Sequence, residues 1–126
     1  MPTIRKILVV DDSAVERYHL VDLLNKKGFQ VIEAADGEEA VMKAKASPPD
    51  LVLMDVIMPG QNGFQVTRTF SKDDALAHIP VVMCTSKDAE TDRVWGMRQG
   101  AKGYLVKPIK AENLYTMISG LSNAVE

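Results

Sequence analysis

Short apolar runs recur along the chain at Ile7-Leu8-Val9-Val10, Phe29 to Ile32, Leu51 to Met54, Val81 to Cys84 and Tyr104-Leu105-Val106. They are aliphatic or β-branched and bounded by polar or turn-forming residues, which predicts strands. The central stretches are nearly continuous in apolar character instead of alternating, as expected of parallel strands covered by helices on both faces.

The segments between them have helical length. Ser13-Ala14-Val15-Glu16 has the spacing of a capping box, with the Ser13 hydroxyl facing the Glu16 N–H and the Glu16 carboxylate reaching back, and it opens a helix predicted to run to about Lys27, with Gly28 as the stop. Asp36-Gly37-Glu38-Glu39 starts a second helix, which places Ala40, Val41 and Ala44 on one face before Ser47-Pro48-Pro49 ends it. A third helix is predicted from Gly63 to about Lys72 and a fourth from Asp88 to Gln99. The last, Ala111 to about Ser122, sets Leu114, Tyr115, Ile118 and Leu121 at helical spacing for burial. Strand and helix thus alternate five times with short connections. Right-handed crossovers then give an α/β fold, a doubly wound five-stranded parallel sheet in a three-layer sandwich. Pro59-Gly60-Gln61-Asn62-Gly63 is expected to be a loop rather than a boundary, and residues 1–126 to form a single domain.

Composition narrows the function classes. The chain has 126 residues, 46% of them hydrophobic and 25% charged, ordinary for a soluble globular domain. Its 15 Lys+Arg against 17 Asp+Glu leave a net charge of −2 with the basic residues scattered, which argues against direct binding to nucleic acid. The single Cys84 excludes a disulfide framework or a thiolate zinc site and is expected to be buried and inert. Only four apolar residues, Ile7 to Val10, precede the first acids, far short of a secretory or membrane-spanning segment, so the expected location is cytoplasmic.

In an open doubly wound sheet, ligands bind beyond the carboxyl ends of the strands. Those ends carry Asp11-Asp12 after the first strand, Asp55 after the third, Thr85-Ser86 after the fourth and Lys107-Pro108 after the fifth. One acid at a strand end is explained by the preference of Asp for turns. Three converging acids repel one another, and a hard divalent cation is the usual reason for gathering them. Mg²⁺ binds through one or two carboxylates together with phosphate oxygens. Asp55, held at the end of the central strand, is the best candidate for a nucleophile toward phosphorus, and Lys107 for the ammonium that pairs with phosphoryl oxygens.

Val10-Asp11-Asp12-Ser13, Met54-Asp55-Val56-Ile57-Met58-Pro59-Gly60, Cys84-Thr85-Ser86 and Val106-Lys107-Pro108 together resemble the receiver domain of bacterial two-component response regulators, in the single-domain form of the chemotaxis receivers. The resemblance runs from Lys6 to about Leu121. It implies a flavodoxin-like sheet in the order 2-1-3-4-5. It implies that Asp55 accepts the phosphoryl group and that Asp11, Asp12 and Asp55 bind Mg²⁺ with the backbone carbonyl of Ile57. Thr85 and Tyr104 would be the switch residues, Lys107 would bind the phosphoryl group, and Pro108 would follow a cis peptide bond. It further implies a partner histidine kinase, a downstream protein bound through the fourth helix, fifth strand and fifth helix, and no enzymatic activity beyond the chain's own phosphorylation and dephosphorylation. Gly63-Phe64-Gln65-Val66-Thr67-Arg68 and Thr85 to Gly96 resemble the receivers of the chemotaxis-like system that controls type IV pili and twitching motility.

Ile57 and Lys87 depart from the best-known chemotaxis receiver, being apolar and cationic where that protein is polar and acidic. The expectation is that Ile57 hinders an attacking water and Lys87 pairs with Asp or phosphoryl oxygens, giving a longer-lived acyl phosphate. His19 and His78 lack ligands at metal spacing and are assigned solvent-facing or capping roles, and Met54, Met58 and Met83 are expected to fill the core. Trp95 and Tyr104 fall on the expected partner surface. Three rivals stay open: a flavodoxin-type carrier, which Asp11-Asp12 disfavours by repelling a phosphate; an aspartate-nucleophile phosphatase, which would have a second acid where Ile57 stands; and a docking module that is never phosphorylated.

Overall fold

The structure, a computed structural model, describes residues 3–124, with side chains through Ser122. Its order is β1 (Lys6–Val10), α1 (Ala14–Lys26), β2 (Gln30–Ala34), α2 (Gly37–Ala46), β3 (Leu51–Met54), α3 (Gly63–Lys72), β4 (Val81–Thr85), α4 (Glu90–Arg98), β5 (Gly103–Val106) and α5 (Ala111–Ala124). The strands form one parallel sheet in the order β2-β1-β3-β4-β5, so the chain reverses direction across the sheet between β1 and β3.

Alternation along each central strand divides the core in two. Ile7, Val9, Leu51, Leu53, Val82 and Cys84 face one side, where Leu20 and Leu24 of α1 and Leu114 and Ile118 of α5 cover them. Leu8, Val10, Val52, Met54, Val81 and Met83 face the other, under Ala40 and Ala44 of α2 and Phe64, Val66 and Phe70 of α3. Each fully buried aliphatic side chain in these layers contributes roughly 1.5–3 kcal/mol. Such burial on both faces is why these strands carry no polar positions until they reach the sheet edge.

The second strand differs from its expected span. Phe29 gives its N–H to the Leu24 carbonyl at 3.2 Å in the turn that closes α1. Pairing therefore starts at Gln30 and continues through Glu33 and Ala34, opposite Val9 and Val10. Because β2 lies at the edge of the sheet, an exposed Glu33 is tolerated there. The fourth helix is shorter than expected: Ala89 is its N-cap, and it lacks a side-chain cap. The third helix carries the reciprocal cap instead, with Asn62 Oδ1 accepting from the Gln65 N–H at 3.0 Å and Gln65 Oε1 accepting from the Asn62 N–H at 2.9 Å. The turn-rich loop before it thus ends in a helix start signal.

Candidate functional site

The backbone sets the acids in place before any side chain acts. Ladder bonds extend past the strand ends: Asp11 N–H donates to the Ala34 carbonyl at 3.1 Å, Asp55 N–H to Val10 at 3.0 Å and Lys107 N–H to Thr85 at 2.9 Å. Each residue's direction is therefore fixed by the sheet. Gly63 brings α3 against this edge, since a Cβ there would lie 1.9 Å from the Asp55 carbonyl oxygen. Only a glycine allows that approach.

Carboxylate oxygens of Asp11, Asp12 and Asp55 lie within 4.8 Å of one another, with Asp11 and Asp55 buried and Asp12 exposed. Three acids so close need cations, and the chain supplies one. Lys107 Nζ is 2.6 Å from Asp11 Oδ2, 2.8 Å from Glu16 Oε1 and 3.5 Å from Asp55 Oδ2. Burial pushes the Asp55 carboxyl above its ordinary value; Lys107 opposes this and Asp11 adds to it. For Lys107, burial lowers the ammonium, but its bonds to Asp11 and Glu16 and the charges of Asp55 and Asp11 outweigh that and raise it, so it stays charged. One ammonium among three acids leaves a pocket whose donor set, all hard oxygen, suits a divalent cation such as Mg²⁺.

Hydrogen bonds lock the inner carboxylates. Asp11 Oδ1 accepts from the Ser13 N–H at 2.9 Å, and Asp55 Oδ1 from the Val56 N–H at 2.8 Å. The first bond corrects the expected capping box. The Ser13 hydroxyl does accept from the Glu16 N–H at 3.3 Å, but the Ser13 N–H that Glu16 would have bonded is already taken by Asp11. The Glu16 side chain turns instead to Lys107.

The remaining predicted residues fall around this cluster. Thr85 is fully buried at the end of β4, its Oγ1 accepting from the Lys87 N–H at 3.4 Å. Tyr104 is half-buried, with the Arg93 guanidinium 5.2 Å from its ring centroid. Ile57 follows Asp55 by two residues and is 57% exposed. The Lys107-Pro108 peptide bond is cis. Lys87 turns toward α4, where its nearest acid is Asp92 at 4.0 Å, and not toward an acid of the pocket. His19 ties α1 to the segment after β5, its Nε2 lying 2.9 Å from the Ile109 carbonyl. Met54, Met58 and Met83 are buried, as is Cys84, whose thiol burial pushes up to about 12.

Three residues at the site were absent from the expectations. Glu16 was absorbed into the cap motif. Arg17 supports Asp11 from below, its Nη1 donating to the Asp11 carbonyl at 2.6 Å while its Nε pairs with Glu33 at 3.0 Å. Gly63 reads in the sequence only as a helix start. On α1, Val15 and Tyr18 are 80% and 70% exposed, which the helical pattern alone does not explain.

Residues 7–119 match the model of the response regulator receiver domain. Protein PilH of Pseudomonas aeruginosa is 50% identical over 116 residues, covering 92% of this chain and 96% of PilH. Among solved structures, the chemotaxis protein CheY4 of Vibrio cholerae superposes with a TM-score of 0.87 at 32% identity, over 94% of this chain and 98% of that one. A CheX-CheY-BeF3-Mg complex from Borrelia burgdorferi gives a TM-score of 0.86 at 29% identity, over 93% of this chain and 88% of that chain.

Proposed function

The chain belongs to the response regulator receiver family, and from that premise we propose that it is the phosphoacceptor of a chemotaxis-like two-component pathway acting on type IV pilus twitching motility. The observation that carries the reading is the cluster itself: carboxylates from two neighbouring strand ends within 4.8 Å, with the Lys107 ammonium beside them. The identity to PilH and the resemblance to twitching-motility receivers support the choice of pathway.

In this reading Asp55 attacks the phosphorus of a phosphohistidine on a partner kinase. An oxygen–phosphorus bond forms, the phosphorus–nitrogen bond breaks, and the imidazole keeps the electron pair and takes up a proton from water. Asp11, Asp12, Asp55 and the Ile57 carbonyl would hold Mg²⁺, which supplies neutralisation of charge on the phosphoryl oxygens when bound. Lys107, whose Nζ lies 3.5 Å from Asp55 Oδ2, would take a second share of that charge. The exposed Ile57 would restrict an attacking water, so an Ile57→Asn variant should lose its phosphoryl group faster.

The phosphoryl group adds roughly −1.5 to −2 charge and three acceptors at the pocket. Thr85 would move toward it and Tyr104 would follow, which changes the α4-β5-α5 surface that a downstream protein binds. Trp95, exposed on α4, belongs to that surface. The chain then works as one receiver domain over residues 1–126 in the cytoplasm, without contacting nucleic acid or inserting into a membrane. Among the described residues no helix is long and apolar enough to cross one.

Intact-mass spectrometry after incubation with acetyl phosphate tests the reading. Wild type with Mg²⁺ should gain one phosphoryl group, with little gained in its absence and none by Asp55→Asn. No adduct in wild type, or one that survives the substitution, overturns it.

A further inference from the structure

A fourth carboxylate reaches the pocket's ammonium without belonging to the three clustered acids. Glu16 Oε1 lies 2.8 Å from Lys107 Nζ, nearly as close as Asp11 Oδ2 at 2.6 Å and closer than Asp55 Oδ2 at 3.5 Å. Glu16 is free to do this because the Ser13 N–H, its partner in a reciprocal cap, bonds Asp11 instead. The two ends of the ion pair differ in environment: the Lys107 side chain is 11% exposed, that of Glu16 49%.

An ammonium has three N–H donors, and Asp11, Glu16 and Asp55 already surround this one. A tetrahedral anion arriving at Asp55 draws Lys107 toward itself in competition with the other two carboxylates. Asp11 holds Lys107 by the shortest of the three contacts, a hydrogen bond of 2.6 Å, and Asp55, 3.5 Å away, is the group that the anion joins. Glu16, half in water, is rehydrated at small cost. The carboxylate that yields is therefore Glu16.

We propose that Glu16 is a positioning residue that holds Lys107 in the unphosphorylated chain and competes with the incoming phosphoryl group for it, weakening the pocket's grip on that group. This rests on the phosphoacceptor reading and adds to it a residue that sets how readily the pocket is occupied. Neither the metal trio nor the acceptor would change if Glu16 were lost; the position of the ammonium would.

Titration of the full chain with beryllium fluoride at saturating Mg²⁺ tests it, in wild type, Glu16→Gln, Glu16→Asp, Lys107→Ala and the Glu16→Gln/Lys107→Ala double variant. Wild type that binds no beryllium fluoride removes the phosphoacceptor reading itself. Given wild-type binding, Glu16→Gln should tighten the apparent Kd by about two- to fivefold, the size of a half-exposed ion pair. Glu16→Asp keeps the charge but is one methylene shorter, so it should resemble Glu16→Gln. In the Lys107→Ala background the Glu16→Gln effect should vanish. Unchanged or weaker binding in Glu16→Gln overturns the proposal. So does a Glu16→Asp variant that behaves as wild type, or a Glu16→Gln gain of full size without Lys107, since either would mean simple repulsion of the anion. If Lys107→Ala binds too weakly to measure, the Glu16→Asp comparison decides.

Discussion

The hydroxyl of Tyr104 donates to the carbonyl oxygen of Lys87 at 2.7 Å, and the Lys87 N–H lies 3.4 Å from the Oγ1 of Thr85. One peptide segment therefore connects the buried hydroxyl at the end of β4 to the aromatic ring on β5. Gly96 of α4 sits on that ring, where an added Cβ would meet Tyr104 at 3.4 Å and Phe64 at 3.3 Å. Tyr104→Phe keeps the packing and removes only the hydroxyl, so it should cost about 0.5–1 kcal/mol in urea denaturation. Tyr104→Ala removes the ring as well and should cost about 2 kcal/mol or more. Equal losses in the two variants would mean that the ring contributes nothing.

Gly63 and Gly60 separate space from backbone conformation. A Cβ at Gly63 would lie 1.9 Å from the Asp55 carbonyl oxygen and 2.9 Å from the Val56 Cα, and neither backbone atom can step aside. Gly60 has φ of +76° with nothing within 4 Å, so a side chain there meets strain but no obstacle. Gly60→Ala should cost about 1–2 kcal/mol, and Gly63→Ala about 3 kcal/mol or more. Gly63→Ala should also weaken Mg²⁺ binding measured by calorimetry, because the atom it displaces belongs to Asp55. Equal denaturation midpoints for the two variants would contradict the packing argument.

The central strands were legible in the sequence because burial on both faces leaves no polar positions, and their ends were legible because Asp11, Asp12, Asp55, Thr85 and Lys107 break those runs. What escaped depended on competition between partners. Ser13 to Glu16 has the spacing of a capping box, and spacing cannot report that Asp11, two residues earlier, takes the Ser13 N–H. Asn62 and Gln65 form the box that was not anticipated, hidden within a glycine- and proline-rich loop. Phe29 looked like strand on apolar character alone, yet its N–H closes α1. In each case a long-range or neighbouring bond decided between two locally acceptable states.

Cys84 lies beside the pocket yet should be chemically silent. Burial pushes its thiol up to about 12, the charges of Asp55 and Asp11 add to the shift, and Lys107 opposes it. At neutral pH almost no thiolate forms, and the sulfur faces the core between β4 and the α1/α5 layer. A disulfide reagent should therefore react with native protein only as fast as the chain opens, and within seconds to minutes in strong denaturant. Rapid native reaction, followed by absorbance, would place Cys84 on an accessible surface.

Asp55 makes stability depend on pH in a defined sense. Its folded-state pKa is raised by burial above the ordinary 3.8, so the native state holds this proton more tightly than the unfolded chain does. The stabilising contribution is complete below the unfolded value and is lost as pH rises through the folded one. At neutral pH the ionised side chain therefore weakens the fold. Asp55→Asn never ionises and should be more stable than wild type at pH 7, with an advantage that shrinks as pH falls into the carboxylate range. Urea midpoints in metal-free buffer check this, and identical midpoints at pH 7 would mean that Lys107 fully offsets the burial.

The same accumulation of charge predicts the response to a cation. Three carboxylates lie within 4.8 Å and Lys107 pairs with only two of them, Asp11 and Asp55, so the metal-free fold carries repulsion that an unfolded chain relieves by separating them. A divalent cation that binds only the folded cluster should stabilise it by mass action, about 2.7 kcal/mol at a concentration one hundred times its Kd. Thermal unfolding should shift up by several degrees with Mg²⁺ and return on adding a chelator. Asp12→Asn removes the exposed member of the trio without opening the core, and should abolish most of the shift. Asp36 caps α2 and stands outside the trio, so Asp36→Ala should lower basal stability by about 1 kcal/mol yet keep the full response to Mg²⁺. If wild type and Asp12→Asn responded alike, the cation would be acting on general surface charge, and the cluster would have lost its claim to be a metal site.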